Sequence, residues 1–443
     1  GAPPFRLYVT GSARRMKVLV VGSGGREHAL AWKLQQSSAV DRIYCAPGNA
    51  GTSALSENVP IPAHDITALA KFARQNAVGL TVVGPDDSLA AGIADCFAAE
   101  DLRIFGPTRA AARLESSKIF AKQLMQHRSI PTARAGTFSS SEEALRFCET
   151  LRFPAVIKAD GLALGKGVII ANNRAEAAAA IDSMMNRRLF GGAGANVVIE
   201  QFLSGWECSL HLLVSGANYH MLATARDHKR AQDGDRGPNT GGMGAVSPAT
   251  DWTPELQRRF ENDVMRPLLA GLREQDLTFR GLLFPGMMVT AEGPQVLEFN
   301  CRFGDPETQA ILPRLKSDLL EILDATIDGT LERVRIEWDT RAAVTVVMAS
   351  GGYPGAYETG KPITGLDEVA VKDGVQVFHA GTRWENGRIV TAGGRVLAVT
   401  ALGDGVTEAR DRAYAAVARI RFENCHYRRD IAASAVSGNL ANS

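Results

Sequence analysis

The sequence predicts a mixed α/β and α+β protein of several domains: an N-terminal parallel α/β domain, a central domain and a C-terminal α+β domain. Its 443 residues exceed what one hydrophobic core usually serves, so two to four domains with a cleft between them are expected. From Met16 onward, short apolar runs, glycine turns and helical stretches alternate, as in a parallel sheet with crossover helices. Near residue 330 the motifs thin out and a strand-rich tail begins. We therefore predict domains at 16–118, 119–330 and 331–443, after a vector-derived or unstructured leader at 1–15.

The composition argues against a partner that is a nucleic acid or a membrane. The 49 Lys and Arg residues nearly cancel the 48 Asp and Glu residues, whereas nucleic-acid and anionic-membrane surfaces need a basic excess. No stretch approaches the roughly 20 apolar residues of a membrane span. The six cysteines are scattered without a C-x-x-C pair, so we predict reduced thiols in the cytoplasm. Small-molecule partners are expected, and a monomer, with a weak dimer as the alternative.

The N-terminal domain is predicted to contain strands at 18–21, 80–83 and 103–105 and helices at 27–36, 67–76 and 88–100. A glycine turn that includes Gly24 and Gly25 joins the first strand to the first helix. Such a turn points backbone N–H groups and a helix N-terminus at a phosphate. Glu27 stands where a dinucleotide fingerprint needs glycine or alanine, which favours a single small phosphate over a cofactor pyrophosphate. A tight turn without a ligand is the alternative.

The central domain opens with a predicted helix at 117–127 and strands at 155–158, 168–171 and 197–200. The glycine loop 161–167 joins two of these strands. It lacks both the four-residue glycine spacing and the hydroxyl of a Walker loop. With Lys158 before it and Lys166 within it, the loop is suited to fold over ATP phosphates as a lid. A plain hairpin connection is the alternative.

Two further stretches carry candidate ligands. Glu200 and Glu207 flank a strand end, where one carboxylate can receive the adenine amino group and the other the ribose hydroxyls; solvated carboxylates are the commoner explanation. The charged run 227–230 precedes a stretch at 233–244 that is rich in Gly, Pro, Asn and Asp and is predicted to be an exposed loop. This combination suggests a loop that closes on an anionic substrate, against the simpler reading of a solvated charge run.

The strongest signal lies at 297–307. Strand alternation puts Glu298, Asn300 and Arg302 on one face and Leu297, Phe299 and Cys301 on the other. Magnesium prefers carboxylate and amide oxygens and usually completes its shell with water and nucleotide phosphates. Glu298 and Asn300 are therefore predicted to hold Mg²⁺ with ATP, while the Arg302 guanidinium grips a carboxylate or the transferring phosphate. Beyond this stretch, the C-terminal domain is predicted to contain strands at 344–348, 375–379 and 395–400 and a helix at 406–422.

These motifs resemble those of the phosphoribosylamine–glycine ligases (glycinamide ribonucleotide synthetases), ATP-grasp enzymes of purine biosynthesis. The resemblance runs from Met16 to near the C-terminus, through 22–30, 46–52, 157–163, 227–230, 237–244, 298–309 and 393–395. It implies a central ATP-grasp domain with a mobile lid subdomain at about 132–200. It also implies that ATP, with Mg²⁺ or Mn²⁺, drives the ligation of glycine to 5-phosphoribosylamine through glycyl phosphate, giving glycinamide ribonucleotide, ADP and phosphate.

The resemblance assigns roles to individual residues. ATP binding falls to Lys118, Lys158, Gly161, Gly165, Lys166, Gly167, Glu200, Phe202, Leu203 and Glu207, and metal binding to Glu298 and Asn300. Glycine and the sugar phosphate fall to Gly24, Gly25, Asn49, Thr52, Asp227, Lys229, Asn239, Thr240, Gly241 and Arg302. Catalysis is expected from Lys158 on the ATP phosphates, Asp227 on the glycine amino group and Arg302 on the phosphorylated intermediate.

Two departures from the family pattern and three rival functions stand beside this assignment. Asp86 replaces the glutamate of a common Gly-Pro-Glu stretch, and Trp206 stands where an acid is expected before Glu207.

A formate- or bicarbonate-dependent purine ATP-grasp enzyme should lack the combination of 227–230 with 239–244. A nicotinamide oxidoreductase would explain the first glycine turn only. A nucleotide-binding regulator without catalysis would have no need of Lys158, Glu298, Asn300 and Arg302 together.

Overall fold

The computed structural model describes residues 15–162, 167–369 and 374–434. The predicted leader lies outside these ranges except for Arg15, and so do Gly165 and Lys166 of the glycine loop. Within these ranges no helix is both long and apolar enough to cross a membrane.

The N-terminal domain is built on a five-stranded parallel sheet in the order β3-β2-β1-β4-β5, which confirms the predicted parallel α/β class. Val18 and Val20 pack into one core and Leu19 and Val21 into another, as expected of a strand covered on both faces. Gly92 adopts a left-handed φ of 93° and divides the predicted helix 88–100 into two. The elements are β1 Met16–Gly22, α1 Gly25–Leu34, β2 Val40–Pro47, β3 Glu57–Asn58, α2 Ile66–Gln75, β4 Val78–Val83, α3 Asp86–Ala90, α4 Ile93–Ala98, β5 Ile104–Phe105 and α5 Arg113–Ser116.

A second unit lies within the segment expected to form the lid. Its four-stranded antiparallel sheet, here called the lid sheet, has the order β6-β9-β7-β8. Helices α7 and α8 carry asparagine or serine N-caps, which accept from the first-turn backbone N–H groups. Helix α6 Lys118–His127 precedes this unit, and its Phe120, Ala121 and Leu124 pack in a different core with Phe299. The elements of the unit are β6 Ala135–Phe138, α7 Ser141–Cys148, β7 Ala155–Ala159, β8 Val168–Ala171, α8 Arg174–Ile181 with a π-helical turn at Asp182–Asn186, and β9 Val197–Gln201.

The third sheet, here called the floor sheet, centres on the long strand β17 Arg280–Thr290. Strand β17 pairs with β11 along its first half and with β10 and β18 along its second. Its other strands are β10 Trp206–Ser209, β11 Leu212–Ser215, β12 Asn218–Met221 and β18 Gly293–Asn300. Four helices belong to the same part of the chain, namely α9 Pro254–Phe260, α10 Arg266–Glu274, α11 Glu307–Ile311 and α12 Leu319–Asp328.

The C-terminal sheet is antiparallel, with the order β13-β16-β19-β23-β20. Two of its strands come from the middle of the chain, so this sheet carries residues from both sides of the predicted boundary at 330. The stretch predicted as an exposed loop at 233–244 is mostly a hairpin, β14 with β15. The elements are β13 Arg226–Asp227, β14 Arg230–Gln232, β15 Arg236–Asn239, β16 Gly244–Ser247, β19 Ala342–Ala349, β20 Val375–His379, β21 Thr382–Glu385, β22 Arg388–Thr391, β23 Arg395–Gly403 and α13 Val406–Val417.

Candidate active site

A cleft opens between the lid sheet and the floor sheet, and strands of both sheets line it. It consists of an inner cavity of ≈ 210 Å³ and an outer cavity of ≈ 450 Å³. The two cavities share several charged residues, among them Lys158, Asp227 and Glu298. Their shared wall makes them one continuous site of mixed charge.

Most of the predicted site residues line this cleft. The inner cavity is lined by Lys118, Lys158, Gly161, Gly167, Glu200, Asp227, Lys229, Thr240, Gly241, Glu298, Asn300 and Arg302. The outer cavity adds Phe202, Leu203, Glu207 and Asn239. The residues Gly24, Gly25, Asn49 and Thr52 do not line either cavity. The inner cavity also contains five carboxylate or amino side chains that sequence reasoning did not assign, namely Asp86, Glu115, Lys122, Asp305 and Glu307.

Strand β18 presents Glu298 and Asn300 to the inner cavity, while Phe299 between them packs into the core. A β-bulge interrupts the ladder with β17 at Leu297, because Gly286 faces Glu298 and Met287 faces Val296. Leu297 therefore lines the cavity, and strict alternation, which places it with Phe299, is wrong at this point. The Leu297 carbonyl accepts from Lys158 Nζ at 3.1 Å. The bulge thus helps to hold Lys158 beside the acidic pair.

The donor set of β18 fits a hard divalent cation. Burial opposes ionisation of Glu298, yet Lys229, Lys158, Lys118 and Arg302 outweigh it and lower the pKa of this carboxyl. Asn300 donates through Nδ2 to the Phe284 carbonyl at 3.3 Å, which turns its Oδ1 towards Arg302. In the described part of the chain no three His, Cys, Asp or Glu residues cluster as metal ligands. A cation here needs phosphate oxygens and water for the rest of its shell, as Mg²⁺ prefers.

Arg302 is held by a residue from the connection between the first two domains. Its Nη2 lies 3.2 Å from Glu115 Oε1 and 3.2 Å from Asn300 Oδ1. The other oxygen of Glu115 accepts from the Cys301 backbone N–H at 2.7 Å. Burial raises the pKa of Glu115 in spite of its arginine partner. The guanidinium is thereby oriented towards the metal pair, and nothing local in the sequence around Glu115 indicated this role.

A buried triad of Lys122, Glu200 and Lys158 joins helix α6 to the lid sheet. Glu200 Oε1 lies 2.9 Å from Lys122 Nζ, and Oε2 lies 2.8 Å from Lys158 Nζ. Although burial opposes ionisation, the two lysines lower the pKa of Glu200. Lys122 also donates to Thr132 Oγ1 at 2.7 Å. Lys122 lies four residues after Lys118 on the same helix, and this i,i+4 spacing is the signal that could have identified it.

The start of helix α6 is fixed to the glycine loop. Ser117 caps the helix by accepting from the Phe120 N–H, and Asp160 Oδ1 accepts from the Ile119 N–H at 3.2 Å. Lys118 Nζ donates to the Gly161 carbonyl at 2.7 Å. Gly161 has a φ of 92°, a conformation that L side chains rarely adopt. These contacts place Lys118 at the point where the loop 161–167 leaves the lid sheet.

The outer cavity combines apolar walls with charge at its rim. Val156, Val168, Ile170, Leu203, Met288 and Leu297 supply the apolar lining. Glu207 Oε2 pairs with Lys229 Nζ at 2.8 Å. Such a slot accepts a flat heteroaromatic ring with polar groups at its edge. Trp206, which departs from the family pattern, also lines this cavity.

Asp227 lies on the edge strand of the C-terminal sheet, inside the cleft. Burial, together with the nearby Glu307, Glu207 and Glu298, raises its pKa to about 8, although Lys229 acts in the opposite direction. A buried carboxylate with this excess of negative neighbours favours a cationic partner. It is therefore suited to an ammonium group.

The first glycine turn is already capped by carboxylates. Glu27 Oε2 accepts from the Gly24 N–H at 2.6 Å, and Asp305 Oδ2 accepts from the Arg26 N–H at 3.4 Å. The Glu27 side chain is 1% exposed and fills the space beside Gly22 and Gly84, where a Cβ would collide with it. This carboxylate occupies the position where a dinucleotide pyrophosphate would need room.

Asn49 and Thr52 hold the loop after β2 together. Asn49 donates to the carbonyls of Ser23 and His379 at 2.9 and 2.8 Å and accepts from the N–H groups of Gly51 and Thr52. The Thr52 hydroxyl donates to Asn58 Oδ1 at 2.7 Å. Both side chains are thus engaged within the protein, so any contact they make with a substrate would run through the backbone.

Comparison with known proteins supports the predicted resemblance to the phosphoribosylamine–glycine ligases. The three models of the phosphoribosylglycinamide synthetase family match in order: the N domain at residues 16–115, the ATP-grasp (A) domain at 116–308 and the C domain at 343–434. The phosphoribosylamine–glycine ligase of Allochromatium vinosum is 52% identical over 425 residues, which cover 95% of this chain and 99% of the relative. That of Caldanaerobacter subterraneus is 49% identical over 418 residues, covering 94% and 100%.

Two solved structures share the fold of this chain. A crystal structure of the phosphoribosylamine–glycine ligase from Thermotoga maritima superposes with a TM-score of 0.82 at 35% identity, covering 94% of this chain and 100% of that one. The biotin carboxylase domain of Hydrogenobacter thermophilus 2-oxoglutarate carboxylase shares the fold, with a TM-score of 0.72 at 16% identity over 93% and 92% of the two chains. The chain belongs to the phosphoribosylglycinamide synthetase family, the phosphoribosylamine–glycine ligases of the ATP-grasp fold.

Proposed function

We propose that this chain ligates glycine to 5-phosphoribosylamine at the expense of ATP, giving glycinamide ribonucleotide, ADP and phosphate in purine biosynthesis. One observation carries the proposal: a single cleft contains an oxygen-ligand pair, two lysines and a carboxylate suited to an ammonium group. Glu298 with Asn300, Lys118 with Lys158, and Asp227 all line the inner cavity. These groups match the needs of a carboxylate that is activated by ATP and then attacked by an amine.

The nucleotide is placed across both cavities. We assign the adenine ring to the apolar outer slot beside Leu203, with the ribose towards Glu207. The phosphates then extend inward to Lys158 and Lys118, whose positive charge offsets theirs. Support for this direction comes from Lys158, which lines both cavities, and from Lys118, which lines the inner one.

Glu298 and Asn300 would hold a divalent cation against the ATP phosphates. When bound, the cation neutralises charge on the transferring phosphoryl group. We propose Mg²⁺, with Mn²⁺ as a substitute, because two oxygen ligands from the protein leave the remaining positions to phosphate and water.

Glycine is placed with its ammonium group on Asp227 and its carboxylate towards the γ-phosphate. A glycine carboxylate oxygen attacks the γ-phosphorus, the bond to the bridging oxygen breaks, and ADP leaves. Arg302, oriented by Glu115, then lies beside the glycyl phosphate and offsets its charge. Because Asp227 lies among carboxylates, an ammonium ligand relieves the repulsion that raises its pKa.

The second step joins the two substrates. The amine nitrogen of 5-phosphoribosylamine attacks the carbonyl carbon of glycyl phosphate, the carbon–oxygen bond to phosphate breaks, and the nitrogen loses a proton. We place the sugar phosphate between the turn at 239–241 and the glycine turn at 22–25. Arg395 donates to the Gly241 carbonyl at 2.8 Å and to the Asp305 carbonyl at 2.8 Å, and the Asp305 carboxylate accepts from the Arg26 N–H next to the glycine turn at 3.4 Å.

We further propose that the chain acts as a monomer, with a weak dimer as the alternative. We also propose a cytoplasmic location, which the six free cysteines support.

The proposal is tested by adding glycine, MgATP and freshly prepared 5-phosphoribosylamine and following phosphate release. Release should require all three substrates, and mass spectrometry should detect glycinamide ribonucleotide. Phosphate release that is equal with and without glycine would refute the assignment.

A further inference from the structure

We infer that Arg428 is a positioning residue for the cleft, acting through a C-terminal strap, residues 426–434, that holds the β14–β15 hairpin in place. None of the roles proposed above falls to Arg428, which does not line either cavity of the cleft. The effect on nucleotide binding rests on the proposed function, whereas the contact between strap and hairpin does not.

The hairpin needs outside support. It connects Lys229 to Thr240, and both residues line the cleft. Within the hairpin Ala231 is buried, but residues 234–239 are all exposed. An isolated two-stranded hairpin is at best marginally stable in water, and this one buries little apolar surface of its own.

Arg428 supplies the central contact. Its side chain is 1% exposed, the largest fully buried side chain in the described part of the molecule. Its Nε and Nη2 donate to the two oxygens of Asp430 at 2.8 and 2.7 Å. Its Nη1 donates to Asp235 Oδ1 at 2.8 Å and to the Arg230 carbonyl at 3.1 Å. One guanidinium therefore bridges the strap to the hairpin, a geometry that a lysine cannot reproduce.

Further strap residues reinforce the bridge. Asp430 Oδ2 accepts from the Gly234 N–H at 2.8 Å, and Asp233 Oδ1 accepts from the Arg429 N–H at 2.7 Å. His426 Nε2 lies 2.7 Å from the Ala231 carbonyl oxygen. The strap contacts strand β14 and the turn at 233–235, so its loss would release the hairpin from the C-terminal domain.

The strap is itself anchored to helix α13. Tyr414 donates through its hydroxyl to the Arg428 carbonyl at 2.7 Å and accepts from the Ile431 N–H at 3.1 Å. Arg410 donates to the carbonyls of Ile431 and Arg429 at 3.0 and 2.8 Å. These bonds fix the strap to the C-terminal domain without touching the hairpin.

A short path leads from the hairpin to the site. Thr240 donates to the Lys229 carbonyl through its N–H at 2.7 Å and its hydroxyl at 2.8 Å, which closes the base of the hairpin. Lys229 Nζ then pairs with Glu207 at 2.8 Å across the outer cavity. Displacement of the hairpin would move Lys229 away from Glu207, beside which the ribose of the nucleotide is placed.

The test compares Arg428→Gln and Arg428→Lys with Arg410→Gln in the full chain. Arg410→Gln is the matched control, because it removes bonds to the same strap but none to the hairpin. Three quantities are measured for each variant: amide hydrogen exchange across residues 229–240, the Kd for MgATP, and the melting temperature.

In both Arg428 variants the hairpin amides should exchange at least about tenfold faster than in wild type, and the Kd for MgATP should rise about five- to tenfold. Arg410→Gln should lower the melting temperature to a similar degree and leave both the hairpin exchange and the Kd for MgATP near wild type.

Unchanged hairpin exchange in Arg428→Gln would overturn the strap contact. Faster exchange with a wild-type Kd, or equal Kd changes in the Arg410 control, would overturn the positioning role. A wild-type protein that does not bind MgATP would instead refute the proposed function and leave the exchange result to decide the contact.

Discussion

Glu298 is a carboxylate surrounded by cations. Lys229, Lys158, Lys118 and Arg302 overcome its burial and hold its pKa below the usual range, so it stays ionised at neutral pH. Its charge serves a ligand and not the core, because its strand neighbour Phe299 does the packing. Removal of that charge should therefore separate catalysis from stability.

Glu298→Gln should lower kcat by at least about 100-fold, because an amide oxygen is a weaker ligand for the cation that offsets phosphoryl charge. The melting temperature should change little. Glu292→Gln, at the exposed turn of the same β17–β18 hairpin, serves as the control and should keep wild-type kcat. A Glu298→Gln protein with normal kcat and normal Mg²⁺ dependence would show that this residue is not a metal ligand.

The role of Lys122 in positioning Lys158 can also be tested by substitution. Lys122→Met should raise the KM for ATP about tenfold, because Glu200 loses the Lys122 contact that fixes its carboxylate, and the Glu200–Lys158 pair can then move from its position in the cleft. Gln123→Met introduces the same side chain on the exposed face of helix α6 and should be neutral. Steady-state kinetics measure the effect, and an unchanged KM would mean that Lys158 is positioned without Lys122.

At the scale of elements, strand β13 brings Asp227 into the cleft from the edge of the C-terminal sheet. It pairs with β16, and β16 pairs with β19, so the orientation of Asp227 depends on strands more than 100 residues away in sequence. Asp227→Asn should raise the KM for glycine at least about tenfold and the KM for ATP far less, because a neutral amide cannot balance an ammonium group.

Asp251→Asn provides the control for this prediction, because Asp251 pairs at 3.7 Å with the neighbouring Arg226 and lies outside both cavities. Its kinetic constants should match wild type. If Asp227→Asn changed the KM values for glycine and ATP by the same factor, the residue would not be the glycine ammonium site.

Some features of these elements could be predicted from the sequence, and others could not. Alternation correctly placed Glu298 and Asn300 on one face of β18, since ladder geometry is local. The bulge at Leu297 depends on the register with β17 and could not be seen in one strand. The stretch 233–244 was predicted as an exposed loop because its composition favours turns. Instead, 236–239 forms strand β15, which pairs with β14, and this hairpin is supported by Arg428, far along the chain. The i,i+4 spacing from Lys118 could have identified Lys122 as a site residue, whereas no pattern in the sequence indicated Glu115.

At the scale of the whole molecule, residues from different domains pack into one hydrophobic core. One hydrophobic core contains Val18 of the first sheet, Leu213 of the floor sheet and Val347 of the C-terminal sheet. Helix α1 also meets strand β20, where His28 Nδ1 accepts from the His379 N–H at 2.8 Å. Burial, with a smaller contribution from His379, lowers the pKa of His28 to about 3. His28 is therefore neutral in the folded protein.

Acid should weaken this interface. The unfolded chain binds a proton at His28 near pH 6.5 and the folded chain does not, so the free energy of unfolding falls as pH falls from 6.5 towards 3. His28→Asn keeps an acceptor and removes the titration, so its stability curve should be flatter by up to about 1.4 kcal/mol per pH unit. Denaturant titrations between pH 7 and 4.5 measure the slopes. A His28→Asn slope equal to that of wild type would show that His28 does not couple stability to pH.

The central claim is that the cleft activates the glycine carboxylate as an acyl phosphate. Glycine labelled with ¹⁸O in both carboxylate oxygens tests it directly, with 5-phosphoribosylamine and MgATP present. Each phosphate released should carry one ¹⁸O atom, because the carbon–oxygen bond of glycyl phosphate breaks in the second step. Mass spectrometry that found unlabelled phosphate alongside newly formed glycinamide ribonucleotide would contradict it.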